Sequence, residues 1–261
     1  MLIAINPCKP VDGMYGHERA QNYLGVYIDP APHVYRTAAR VFHGVQQGRC
    51  QSIVISGESG AGKTENFKHV IEFISEASAR GRHAKATKAS LEVALLETSE
   101  LLESFGNAYT TRNPNSSRFG KWVQLHFLEH NELLGVSVKV YLLEKTRAVH
   151  VGVGERGFHV FYELLRGGEP DLMRECCLNP PPTSRYLPPH SFELPSRRDD
   201  AAKFGELRTM LAAADIGRYD ADQVFRTLAA CLHLGALDFE SEALVEGGED
   251  VGGVKTLEPT Q

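Results

Sequence analysis

Apolar and polar positions alternate in two different periods along this chain. At 1–6 (Met-Leu-Ile-Ala-Ile-Asn) and 51–56 (Gln-Ser-Ile-Val-Ile-Ser), short β-branched runs predict strands. Between them, apolar residues at Val34, Ala38, Val41, Phe42 and Val45 have helical spacing and predict a helix over 31–47. A glycine-rich stretch follows residue 56, and Phe67, Val70, Ile71 and Ile74 continue as a helix. Residues 90–105 read as another helix. Trp122–Leu128, Gly135–Leu143 and Ala148–Val153 read as strands, with a turn near Asn131-Glu132. Helices are expected at 157–166, 199–214 and 220–233. Residues 79–89, with Arg80, Arg82, His83, Lys85 and Lys88, read as an exposed basic loop. Six of the 13 prolines fall within 179–195, which predicts irregular structure there, and the last 20 residues are acidic and glycine-rich with no clear period.

Strands alternating with helices predict an α/β domain with a mostly parallel sheet flanked by helices, and the helix-rich second half predicts a mainly helical second subdomain. The boundary is expected near residue 150. A chain that opens in mid-strand is expected to be part of something longer.

Bulk composition adds exclusions. Lys plus Arg number 28 against 33 Asp plus Glu, a formal net charge of -5, so bulk electrostatics give no reason to expect nucleic-acid binding. No apolar run reaches membrane-spanning length, and the N-terminus lacks the basic and long apolar regions of a signal peptide. The five cysteines, Cys8, Cys50, Cys176, Cys177 and Cys231, include no Cys-x-x-Cys pair, which argues for reduced thiols over a disulfide framework or zinc ribbon. His126 and His130 are four apart, but on a strand and turn that spacing does not build a metal site, and His69 and His159 read as ordinary helix residues.

The strongest chemical signal is Gly57-Glu58-Ser59-Gly60-Ala61-Gly62-Lys63-Thr64, which fits G-x-x-x-x-G-K-[ST] in full between a strand and a helix. Glycines let the backbone curl with its N–H groups inward, and the helix beginning near Lys63 points its positive end at a phosphate. Lys63 supplies a mobile cation for the β- and γ-phosphates, and the Thr64 hydroxyl is a hard oxygen suited to Mg²⁺. The pattern therefore predicts Mg·ATP binding. A second cluster, Thr111 to Lys121, packs amides, hydroxyls and cations ahead of an apolar strand, as in a switch loop ordered by nucleotide.

Together these stretches resemble the myosin motor domain. The nine residues Gly57–Glu65 look like its phosphate loop, and Asn113–Lys121 its switch I. Ala4–Lys9, Leu102–Ala108, Tyr141–Arg147, Phe158–Leu165 and His233–Gly235 match in order, so the resemblance runs from about residue 1 to 240. Kinesins share a P-loop and a Ser-Ser-Arg, but the flanking residues here are myosin-like. The resemblance implies a P-loop core over about 1–150 and part of an upper, actin-side subdomain over about 151–261. It implies that Asn6, Pro7, Lys9 and Tyr15 cradle adenine and that Asn113 contacts the phosphates. Ser116 would orient or relay protons for the attacking water, and Ser117 would join Thr64 in the Mg²⁺ shell. Arg118 would pair with a glutamate of switch II. It also implies a parent protein that hydrolyses ATP and moves on actin filaments, in the cytoplasm with the cytoskeleton.

Departures from the family pattern are Cys8 in place of an aromatic, a spacing to Tyr15 longer by one residue, Pro114 in place of Asn, and Ser99-Glu100 in place of Asn-Pro. Switch II is absent. Asp250-Val-Gly-Gly253 matches its Asp-x-x-Gly formally, but Val245–Glu249 before it is no buried strand, so Arg118 is expected to lack its partner and turnover to suffer more than binding. A non-catalytic, nucleotide-dependent binding module is the alternative. A lone dinucleotide fingerprint, Gly152-x-Gly154-x-x-Gly157, is a weaker competing motif, with Asp171 and Glu175 only loosely where a ribose acid belongs.

Overall fold

The structure, a computed structural model, describes residues 1–24, 31–78, 95, 98–128, 131–179, 181, 184–193, 198–242 and 251–254. In chain order, helices α1 (His17–Gln21), α2 (Val34–Gln46) and α3 (Lys63–Ser78) come first. A helical stretch at 98–106 leads into strands β1 (Asn107–Ala108), β2 (Ser116–Ser117), β3 (Gly120–Phe127) and β4 (Leu133–Tyr141). Helices α4 (Thr146–Val149), α5 (His159–Gly167) and α6 (Pro170–Glu175) follow, then a 3-10 turn at Pro189–Phe192. Helices α7 (Asp200–Ala213) and α8 (Arg218–Gly235) and strands β5 (Phe239–Glu242) and β6 (Val251–Val254) complete the order. The chain forms two compact units, Met1–Glu100 with Phe119–Leu142, and Leu101–Arg118 with Leu143–Gln261.

In the first unit, α2 packs on α3 through the faces that the helical spacing marks. Val34, Ala38 and Phe42 from α2 meet Val70, Phe73, Ile74 and Ala77 from α3, with Leu2, Ile53, Leu125 and Phe127 at the margin. Tyr35 is fully buried, and its hydroxyl accepts from the Gly16 N–H at 3.0 Å and donates to Glu72 Oε2 at 3.2 Å. Burial, with the nearby Glu72 carboxylate, pushes the phenol up to about 12, so it stays a donor at any physiological pH. Strands β3 and β4 form an antiparallel hairpin from Gly120↔Tyr141 to Phe127↔Leu133, with an irregularity at His126/Phe127. Asn131, at φ 61, takes the left-handed position in its turn. His126 bonds across the hairpin to Ser137 Oγ at 3.0 Å, and no cluster of metal ligands occurs among the described residues. His130 and the basic loop at 79–89 lie outside the described residues.

The content is α/β, but the mostly parallel sheet is not what these residues form. All three described ladders, β1–β2, β3–β4 and β5–β6, are antiparallel pairs. Residues 1–6 and 51–56 carry no ladder. A β-branched run becomes a strand only by exchanging backbone hydrogen bonds with a neighbour, and no described segment pairs with either. The strand-like alternation nevertheless survives at 53–55, where Ile53 and Ile55 are half-buried around a Val54 that is 85% exposed.

The second unit is built around α5, α7 and α8. Phe158, Phe161, Leu164, Leu207, Phe225 and Leu232 are among its buried apolar residues. Gly167 permits the close approach of α5 to α7, since a Cβ there would sit 2.6 Å from Phe204 Cβ. The residues Ala148–Val153 form no strand. The one-turn helix α4 stands there instead, because Arg147, 8% exposed, needs carboxylate and carbonyl partners that a straight strand would not bring together. Glycine-rich residues near the C-terminus, expected to lack a period, include the β5–β6 pair, Phe239↔Val254 to Glu242↔Val251.

Charge is buried here with its partners. Arg156, 1% exposed, donates to Asp200 Oδ2 at 2.6 Å and lies 3.8 Å over the Tyr162 ring. Glu163 is fully buried and paired with Arg198. His159, 1% exposed, is pushed down to about 3 by burial and by the Arg198 and Arg156 charges, so its ring is neutral.

Phe225 is fully buried with its ring 4.9 Å from that of Phe204, so Phe225→Ala should lower unfolding stability by about 3–5 kcal/mol in urea titrations. His159 gives a pH prediction. Its folded pKa lies below the unfolded value of about 6.5, so stability is complete above that pH and declines as pH falls toward the folded value. Between pH 7 and 5 the wild type should lose about 2 kcal/mol more than His159→Gln, measured by the same titrations.

Candidate functional site

The loop Gly57–Gly62 is shaped by its glycines. Gly60 (φ +80) and Gly62 (φ +88) take conformations that other residues rarely adopt, and a Cβ on Gly57 would press on Ala61 Cβ at 3.3 Å. An internal turn, Ala61 N–H to Glu58 O at 3.2 Å, tightens the curl. Asn66 N–H to Gly62 O at 2.9 Å is the bond that starts the α3 ladder. The amides of Lys63, Thr64 and Glu65 therefore precede that ladder at the helix N-terminus, where the macrodipole amounts to roughly half a positive charge. Lys63 Nζ donates to Gly57 O at 2.7 Å and to Glu58 O at 2.8 Å, so its ammonium lies on the loop itself. Thr64 is half-buried on the first turn of α3, and Glu58 and Ser59 are exposed.

Asn6 meets this loop, its side-chain amide donating to Gly60 O at 2.8 Å. Its Oδ1 accepts from the Cys8 N–H at 2.9 Å, closing a turn that holds Cys8 at φ 54. Pro7 and Lys9 are exposed. Tyr15 stacks on His69 of α3 with ring centroids 3.6 Å apart and planes 8° apart. Read from sequence as an ordinary helix residue, His69 is therefore the neighbour of a predicted adenine contact. Spacing alone does not signal that pairing. On the same unit Lys121 lies with its Nζ 4.3 Å over the Phe67 ring and 3.3 Å from Ser99 Oγ.

Of the second cluster, Thr111–Arg118 lies in the second unit, within a hairpin that pairs Asn107↔Ser117 and Ala108↔Ser116. Its tip is closed by Thr110 N–H to Asn113 O at 3.0 Å and Asn113 N–H to Thr110 O at 3.2 Å. Asn113 Oδ1 accepts from the Asn115 N–H at 2.9 Å. Asn115, unassigned from sequence, is the brace of the hairpin. Its Oδ1 accepts from Asn107 at 3.1 Å and faces His159 Nε2 at 3.1 Å, while its Nδ2 donates to Glu103 at 2.9 Å. Facing an oxygen acceptor, Nε2 is the nitrogen that carries the proton of the neutral His159 ring.

Ser116 is buried, its Oγ accepting from Arg118 Nη1 at 3.0 Å, while Ser117 is exposed. Arg118 Nε is paired with Glu144, a carboxylate other than the switch II glutamate that the resemblance implies. A guanidinium at 27% side-chain exposure still needs a carboxylate, and Glu144 supplies it from 26 residues on. Burial alone would raise the Glu144 carboxyl, but the bonds from Arg118 and Arg147 overcome this and hold it below the ordinary carboxylate range.

Gly152, Gly154 and Gly157 follow α4 rather than a strand, and the Gly157 N–H is taken by the Tyr162 hydroxyl at 2.9 Å. The dinucleotide fingerprint thus lacks its strand–turn–helix setting. Asp250 lies outside the described residues, and the Gly252 and Gly253 of its motif sit in the antiparallel β5–β6 pair.

Comparison with known proteins gives the family. The chain is 39% identical to the myosin IC heavy chain of Dictyostelium discoideum over 246 residues, 93% of this chain and 21% of that one. It is 36% identical to the myosin ID heavy chain of the same organism over 260 residues, 99% of this chain and 23% of that one. It is 35% identical to unconventional myosin-VI of Homo sapiens over 278 residues, 95% of this chain and 21% of that one. The chain thus spans between a fifth and a quarter of the length of these relatives. Residues 1–254 match the sequence pattern of the myosin head (motor domain), and the chain belongs to that family.

Proposed function

We propose that this chain is the Mg·ATP-holding part of an actin-based motor whose parent protein hydrolyses ATP and moves on actin filaments, in the cytoplasm with the cytoskeleton. One observation carries the reading: in a chain of the myosin head family, a complete phosphate-loop signature curls at the N-terminus of a 16-residue helix with the Lys63 ammonium on the loop. The donor set fits the ligand. A glycine-rich loop, whose backbone is not shielded by side chains at Gly57, Gly60 and Gly62, suits close approach to an anion, and the Thr64 hydroxyl suits a hard cation; Ser117 is the second hydroxyl that the family likeness implies. Mg²⁺, when bound, neutralises charge on the phosphate oxygens.

In this reading the amides of Gly57, Glu58, Ser59, Gly60, Ala61, Gly62 and Lys63 bind phosphate oxygens, and Lys63 leaves the Gly57 and Glu58 carbonyls to do the same. Asn6, Pro7, Lys9 and Tyr15 frame the base. Asn113 contacts phosphate, Ser116 orients the attacking water, and Arg118 closes the loop. Segments 1–6 and 51–56, unpaired among the described residues, would supply strands to the mostly parallel sheet that the family likeness implies for the parent motor. About 1–150 form the nucleotide core, and about 151–261 part of the upper, actin-side subdomain. No helix among the described residues is long and apolar enough to cross a membrane, and no membrane insertion is proposed. No nucleic-acid role is proposed.

A second reading, a nucleotide-dependent binding module without catalysis, is favoured by the pairing of Arg118 with Glu144 inside the chain. That pairing occupies the group expected to close a hydrolytic site.

Equilibrium binding of a fluorescent ATP analogue, with and without Mg²⁺, tests the proposal. The wild type should bind in a Mg²⁺-dependent way, and Lys63→Ala should bind at least about tenfold more weakly, since a charge-assisted contact is worth about 1.5–3 kcal/mol. Equal binding by both would remove the loop from the site, and binding by neither would defeat the proposal.

A further inference from the structure

Glu144 touches the switch hairpin in two ways. Its backbone N–H donates to Arg118 O at 2.9 Å, and its carboxylate takes the Arg118 side chain. Arg118 in turn donates to the buried Ser116 hydroxyl at 3.0 Å, and its own N–H donates to Gly106 O at 2.8 Å. The same Glu144 oxygen that binds Arg118 accepts from Arg147 Nε at 3.2 Å. Arg147 Nη1 donates to Glu155 Oε2 at 3.0 Å and to the carbonyl of Arg156 at 3.2 Å. Arg156 ends the series on Asp200, the first residue of α7, where Arg166 also donates at 3.1 Å.

Exposure falls along this series. The side chains of Arg118 and Glu144 are 27% and 30% exposed, Arg147 9%, Arg156 2% and Asp200 0%, while the flanking Glu155 and Arg166 are 21% and 43% exposed. Buried, paired charges cannot change partners without leaving a charge unanswered in a poor dielectric, so the Arg156–Asp200 end is fixed. Half-exposed charges can exchange partners at little expense, so the Arg118–Glu144 end is where movement is cheap. Glu144 sits at the join.

We propose that Glu144 is a positioning residue for the switch hairpin: mounted on Arg147, it fixes Arg118 and, through Arg118, the Ser116 hydroxyl. The inference rests on the reading of Asn113–Arg118 as a nucleotide-sensing loop. It assigns to Glu144 the task of setting where Ser116 stands when a γ-phosphate arrives. Arg147 and Glu155 then serve as its foundation.

The test combines two readouts on the full chain and its Glu144→Gln variant. Glutamine keeps the size and the backbone bond but loses the charge. In hydrogen–deuterium exchange, the variant should exchange the amides of Ser116–Arg118 about tenfold faster, with α7 and α8 unchanged. In titrations with a non-hydrolysable ATP analogue and with ADP, the preference for the triphosphate should fall about tenfold. Loss of general stability would weaken both nucleotides alike and would leave their ratio alone. Unchanged exchange at 116–118, faster exchange across all of α7 and α8, or an unchanged nucleotide ratio would each overturn the proposal. If the wild type bound neither nucleotide, the nucleotide reading would fail. Exchange at 116–118 would then still decide whether Glu144 anchors the hairpin. Arg147→Lys gives a second check, because a point charge without the guanidinium fork cannot serve Glu144, Glu155 and the Arg156 carbonyl together. It should speed exchange at 116–118 as well, and no change there would remove Arg147 from the mount.

Discussion

A guanidinium with almost no access to water must be answered inside the protein, and Arg147 shows what that demand does to a fold. It donates to Glu144, to Glu155 and to the Arg156 carbonyl. To bring all three together the chain turns through a single helical turn at Thr146–Val149 instead of running straight. Arg156, placed by that turn, lies on the Tyr162 ring and meets Asp200 at the head of α7. The unit that packs α5, α7 and α8 around an apolar core therefore also holds a buried polar series. The outer end of that series holds Arg118.

The phosphate loop obeys a different constraint. It has to leave space where most loops fill it. Glycines at 60 and 62 take backbone conformations with positive φ, and Lys63 folds back on the Gly57 and Glu58 carbonyls. Carbonyl oxygens are the wrong partners for a phosphate but the right ones for a stranded ammonium. A cation parked on two exposed carbonyls can leave at low cost, because water replaces it readily. Asn6 ties the N-terminal segment to the same loop at Gly60, so the region read as the base-binding segment and the phosphate cradle share one local framework within the first unit.

Much of this was legible in the order of residues, and the exceptions are instructive. Helical spacing at Val34, Ala38 and Phe42, and at Val70, Ile71 and Ile74, marks the buried faces of α2 and α3, because one face of each must meet the other. Alternation likewise marks β3 and β4. The β-branched look of Ala148–Val153 misleads, since local propensity yields to the partners Arg147 requires. Runs at 1–6 and 51–56 are strand-like in pattern but unpaired among the described residues, as pattern can only propose a strand and a neighbour must complete it. Long-range pairs were invisible. Nothing in the spacing of Arg118 and Glu144, or of Tyr15 and His69, announces that they touch. The family pattern points Arg118 to a switch II glutamate, and only the folded chain shows Glu144 beside it.

The proposal turns on whether Gly57–Thr64 and Asn113–Arg118 each respond to nucleotide. Amide NMR of the ¹⁵N-labelled chain during titration with Mg·ATP and with Mg·ADP tests it most directly. The account predicts that both nucleotides shift the amides of Gly57, Gly60, Gly62 and Lys63, and that Mg·ATP in addition shifts those of Asn113, Ser116 and Ser117. Silence of the phosphate-loop glycines at saturating Mg·ATP, or a hairpin that responds equally to both nucleotides or to neither, would contradict it.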